Sequence, residues 1–82
     1  MITIDEFIEQ NKNCLCKGWI YMDSTYKWYF VFSKPMLSKG LWKHKPYEFV
    51  YPLSLFDIEV IEDYTNSLKK IIPEDEKVEI PF

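Results

Sequence analysis

Between Gly18 and Pro35 the chain reads GWIYMDSTYKWYFVFSKP, and seven of these eighteen residues are aromatic. Tyr26, Trp28, Phe30 and Phe32 alternate with Lys27, Tyr29 and Val31, so one face of an extended segment is wholly apolar and the other mixed. The preceding residues behave alike: Leu15, Lys17, Trp19 and Tyr21 fall on one face, Cys16, Gly18, Ile20 and Met22 on the other. With Asp23-Ser24-Thr25 as the turn, residues 15–32 are expected to form an antiparallel hairpin. In a chain of 82 residues, which buries only roughly 60–65% of its unfolded surface, this hairpin must supply most of the core. Each aromatic ring buries on the order of 150–250 Å². The rings are therefore expected to serve mainly as core, with Trp28 central to it.

The flanking segments have weaker periods. Thr3 and Glu6 have capping-box spacing, and Ile4, Phe7 and Ile8 then share a helical face, which predicts a short helix over about residues 4–11. Residues 33–46 hold two prolines, a glycine and several lysines, and read as a loop with a short strand around Leu41 and Trp42. YEFVY alternates again and predicts a strand near residues 47–51 that stops at Pro52. From Ser54 onward the period becomes helical: Val60, Ile61, Tyr64, Leu68, Ile71 and Ile72 recur at three- and four-residue steps until Pro73. Val78 and Ile80 could add an edge strand. The expected fold is a single α+β domain spanning residues 1–82. In it a small antiparallel sheet packs against a C-terminal helix over about residues 57–72.

Composition narrows the chemistry. Gly18 and Gly40 stand alone, so no glycine-rich loop cradles phosphate. Cys14 and Cys16 are too close for a disulfide framework, and with His44 they give three metal ligands where structural zinc wants four. They are expected to be reduced thiols, one buried and one partly exposed. His44 lies in a lysine-rich loop and is not expected to act as a general base. No metal, cofactor or catalytic residue is expected, and the chain is not expected to be an enzyme. Lys17-Gly18-Trp19 begins like the RNA-recognition octapeptide, but Ile20 and Ser24 depart from it. The chain has no arginine and a net charge of −3, so direct nucleic-acid binding is not expected. Nor is membrane attachment, since MITIDEFIEQ lacks a basic, apolar leader and no long apolar run follows. A cytoplasmic location follows from the same reading. The absence of arginine and alanine fits an AT-rich bacterial or phage coding region.

Charge is divided along the chain. Residues 1–46 carry seven lysines and four acids, whereas residues 47–82 carry three lysines and nine acids. The acids cluster in DIEVIED and PEDEKVE, and such clusters steer basic partners or solvate a surface. Asp57, Glu59, Glu62 and Asp63 are the expected central charges of a partner-binding face, with Glu59, Glu62 and Asp63 sharing one side of the expected helix. Glu74, Asp75 and Glu76 would act as steering charges. Trp42, Tyr47 and Tyr51 flank the loop and are the expected aromatic anchors.

In size, charge and lack of catalytic groups, with the stretch VIEDYTNSLKK and the order short helix, hairpin, helix, the chain resembles small immunity proteins of bacterial contact-dependent inhibition and related polymorphic toxin systems. The resemblance implies a non-catalytic antitoxin. Its partner would be a cognate toxin, commonly a basic nuclease domain, whose substrate-binding or active-site surface it covers with acidic and aromatic side chains. It carries over no site residues. The alternative is a phage-encoded inhibitor that mimics nucleic acid to block a host or defence nuclease.

Overall fold

The computed structural model describes residues 1–73, and the expected edge strand through Val78 and Ile80 lies outside them. The chain forms α1 (Ile4–Gln10), β1 (Gly18–Met22), β2 (Trp28–Val31), β3 (Met36–Ser38), β4 (Leu41–Lys43), β5 (Tyr51–Pro52), a short 3-10 turn (Tyr64–Asn66) and β6 (Lys69–Ile71). The expected α+β class and both early elements are present. Thr3 caps α1 in a full capping box: its side chain accepts from the Glu6 N–H while the Glu6 carboxylate accepts from the Thr3 N–H. The pair satisfies two of the amide donors that a helix start leaves unpaired.

The main sheet has the strand order β5-β2-β1-β6, antiparallel throughout. In the central hairpin Ile20 lies opposite Phe30 and Met22 opposite Trp28. Asp23 closes the turn, its Oδ1 accepting from the Thr25 N–H and hydroxyl and from the Lys27 N–H. The pleat then sorts side chains as the alternation predicted. Ile20, Met22, Trp28 and Phe30 enter one core with Ile4 and Phe7 of α1 and with Leu53, Ile58 and Ile71. Tyr21, Tyr29 and Val31 alternate with these and take the opposite face.

On the side of that second face stand β3 and β4, a hairpin in its own right where the sequence suggested a loop with one short strand. Ser38 pairs with Leu41, leaving Lys39-Gly40 as a two-residue turn. Both residues have positive φ, 53° and 75°, the signature of the primed turn that matches strand twist, and Gly40 takes the larger value without strain. Trp42 then lies on Tyr21, ring centres 5.7 Å apart.

The expected helix over residues 57–72 is not formed. Residues 53–56 make a turn, Phe56 N–H donating to the Leu53 carbonyl. Ile58 bridges in parallel to Ile2, Tyr64–Asn66 form the 3-10 turn, and Lys69–Ile71 pair with Gly18–Ile20. The competing force is backbone satisfaction. A two-stranded hairpin leaves the second edge of buried β1 without partners, and β6 supplies them. Ser67, fully buried, continues the repair beyond the strand by accepting from the Met22 N–H at 2.8 Å. Leu68, Lys70 and Ile72 alternate with Lys69 and Ile71, so this stretch fits a strand as well as it fits a helix. The strand expected near residues 47–51 is likewise shorter and later, because Tyr47 has a φ of 66°, unsuited to a pleated strand. Only Tyr51 and Pro52 pair with β2.

Candidate functional site

The absence of the C-terminal helix redistributes the expected acidic site. Glu59, Glu62 and Asp63 do not share a helical face. Residues 57–63 run as irregular chain beside α1, held by the Ile2 N–H donating to the Asp57 carbonyl, the Glu59 N–H donating to the Ile2 carbonyl, and the Trp28 indole N–H donating to the Glu59 carbonyl at 3.2 Å. The backbone of Glu59 is therefore fixed while its side chain is exposed.

Glu59 and Asp5 line one open cleft of about 300 Å³ with Val60, Ile61, Thr3 and Lys69. Lys69 reaches the Asp5 carboxylate at 3.3 Å. Glu6, in the same first turn of α1, is exposed, and so is Glu62. Val60 is 53% exposed, an apolar spot among carboxylates. Asp5 and Glu6 escaped the sequence reading because their place at a helix start explains them locally. Only the contact of residues 57–61 with α1 brings them together with Glu59.

The other expected acids are differently employed. Asp57 lies 3.3 Å from the amino group of Met1. Asp63 caps the 3-10 turn. The Thr65 hydroxyl, then the Thr65 N–H, and also the Asn66 amide hold its carboxyl below the usual aspartate value. Glu74, Asp75 and Glu76 lie outside the described residues.

The aromatic candidates also separate. Trp42 is half-buried on Tyr21 and donates its indole N–H to the Tyr64 carbonyl at 3.2 Å, so it holds the hairpin in place. Tyr47 is fully exposed. Tyr51 belongs to a surface cluster that the sequence did not single out. Phe32 lies 5.6 Å from Tyr51 edge-to-face and Phe49 lies 6.2 Å from it, with Phe32 51% and Phe49 75% exposed. The alternation assigned Phe32 to the core, but β2 ends at Val31 and Phe32 packs instead on Phe30 and Tyr51 at the surface.

Among the described residues no group of three or more His, Cys, Asp or Glu side chains could hold a metal, and no helix is long and apolar enough to cross a membrane. Cys14 and Cys16 are free thiols, both exposed, which corrects the expectation that one is buried.

Tyr21 and Tyr29 stack across the hairpin, 5.8 Å apart. Burial, and then the negative charge of Asp23, push the Tyr21 phenol up to about 12 and raise that of Tyr29. Both are therefore neutral hydrogen-bond donors near pH 7. Because the folded state holds the Tyr21 proton more tightly than the unfolded chain does, stability is unaffected by this group below pH 10. It falls as pH rises from 10 towards about 12. Urea midpoints are expected to drop as pH rises from 10 towards about 12, and Tyr21→Phe is expected to flatten part of that drop. Glu48, near this pair, accepts the Ser33 N–H through Oε1 at 2.6 Å.

Comparison of the chain with protein-family models, curated proteins and solved structures gave no match, so the reading of function rests on the two surfaces that the fold assembles.

Proposed function

We propose that this chain is a non-catalytic protein-binding module of the immunity type, which neutralises a basic toxin domain by laying carboxylates on its substrate-binding surface. The observation that carries the reading is the cleft between α1 and residues 59–61. There Asp5 and Glu59, from distant parts of the sequence, flank the exposed Val60. A rigid backbone under an exposed carboxylate limits the entropy lost when a lysine or arginine docks there. An apolar centre with a charged surround is the ordinary anatomy of a protein interface. The exposed cluster of Phe32, Phe49 and Tyr51 supports the same class of function, since contiguous exposed aromatic surface marks interaction sites.

The test begins with capture of purified domains encoded by the neighbouring genes, followed by the double variant Glu59→Lys/Glu62→Lys. Both side chains are exposed, so the variant is expected to melt as the wild type does. Binding is expected to weaken by about 2–5 kcal/mol if the carboxylates are desolvated in the complex, mainly through faster dissociation. Unchanged affinity in the folded variant would remove the acidic cleft from the interface.

A further inference from the structure

The pleat that buries Ile71 and places Lys69 beside Asp5 turns Lys70 to the other side of the sheet, where charge has the opposite sign. The Lys70 ammonium lies 5.7 Å from the ring centre of Trp19, and that of Lys34 lies 5.4 Å from the same ring. Lys34 also lines a depression of about 260 Å³ with Met36, Lys43, His44 and Lys45. Among the described residues Lys34, Lys43, Lys45 and Lys70 make no ion pair. An uncompensated group of ammonium ions in a surface hollow concentrates anions.

Beside it lies a second cleft, of about 310 Å³, which shares Lys43 and His44 with the first. Rings make much of its wall: Tyr29, Trp42 and His44 gather about the buried Tyr21, His44 lying 6.4 Å from it, and Leu41 and Val50 join the lining. Asp23 and Ser24 line it too. The Ser24 hydroxyl, exposed at the cleft, offers a donor and an acceptor suited to a base edge. A ring-walled cleft joined to a cationic hollow matches a ligand that carries both a planar ring and a phosphate a few bonds away. An acidic peptide would use the lysines and leave the rings idle.

We propose that the β3–β4 face binds single-stranded nucleic acid, with one base in the ring-walled cleft and the adjoining phosphates on Lys34, Lys43 and Lys45. The net charge of the chain argues against this only if charge is averaged. The fold places the cleft acids Asp5 and Glu59 on the α1 side and four lysines on the hairpin side, where Asp23 and Glu48 are the carboxylates near Tyr21. The inference is independent of the protein-binding reading, which uses the other face.

The test is fluorescence anisotropy of a fluorescein-labelled oligothymidylate with the full chain over a range of salt concentrations. Wild type is expected to bind at low salt, with a log–log salt slope near −0.7 for each phosphate neutralised. Lys43→Gln/Lys45→Gln, both exposed positions, is expected to weaken binding about tenfold or more at low salt and to flatten the slope by about 0.7 per lysine removed. Glu59→Lys/Glu62→Lys is expected to retain binding, which separates failure of this proposal from failure of the preceding one. An abasic oligonucleotide of the same length is expected to bind more weakly, because it has no ring to stack. Absence of binding at low salt would overturn the proposal. Equal affinity for the abasic strand, or equal competition by polyglutamate, would overturn it too, the latter assigning the face to an acidic protein.

Discussion

Trp28→Ala is expected to lower stability by about 3–5 kcal/mol, a large part of what a domain of this size possesses. Trp28 is 5% exposed and sits in the core shared by α1, the central hairpin and the segment from Leu53 to Ile58. Its removal leaves a cavity among groups fixed by their own backbones. It also takes the indole donor from the Glu59 carbonyl, so the irregular chain beside α1 loses a tie as well as a packing partner. The Leu53 N–H still donates to the Trp28 carbonyl, and β5 is expected to remain docked. Urea unfolding followed by circular dichroism measures the loss. A midpoint within error of wild type would show that the indole does not hold the core together.

Gly18→Val is expected to be comparably damaging for the opposite reason, excess volume. A Cβ at residue 18 would stand 2.5 Å from the Phe30 ring and 2.6 Å from the Val31 carbonyl oxygen. The ring can turn aside, but the carbonyl belongs to β2 and cannot move without disturbing its pairing with β1. Overpacking of this kind costs typically about 1–3 kcal/mol and occasionally more, and a branched side chain against backbone belongs at the upper end. Combining Gly18→Val with Phe30→Leu is expected to recover only part of the loss, since the carbonyl contact persists. Full recovery of the urea midpoint would assign the whole effect to the ring.

The elements readable in the sequence were those whose local signals agree with their tertiary use. The capping box at Thr3 and Glu6 and the alternation from Gly18 to Val31 are such cases. The stretch from Ser54 to Ile72 was misread because its apolar residues answer to several different partners. Ile58 enters the core, Val60 and Ile72 are exposed, and Tyr64 donates its hydroxyl to the Gly40 carbonyl. A helical period in such a stretch is coincidental. The contrary signal was Asp63-Tyr64-Thr65-Asn66-Ser67, a run of weak helix formers suited to a turn. The surfaces were legible only as ingredients. The sequence shows acids late and lysines early, but not that Asp5 would join Glu59, nor that a two-residue turn at Lys39-Gly40 would carry Trp42 back onto Tyr21.

The pairing of β1 with β6 also bears on how the chain reaches its structure during synthesis. The central hairpin closes over a five-residue turn and can form as soon as both strands leave the ribosome, whereas the neighbour of β1 on its other side arrives about forty residues later. Until Ser67 reaches Met22, a nascent chain carries an aromatic hairpin with one unsatisfied edge, a template for pairing with other chains. Contacts so distant in sequence slow folding. A nascent chain arrested before residue 67 is thus expected to aggregate more readily than one in which β6 has paired with β1.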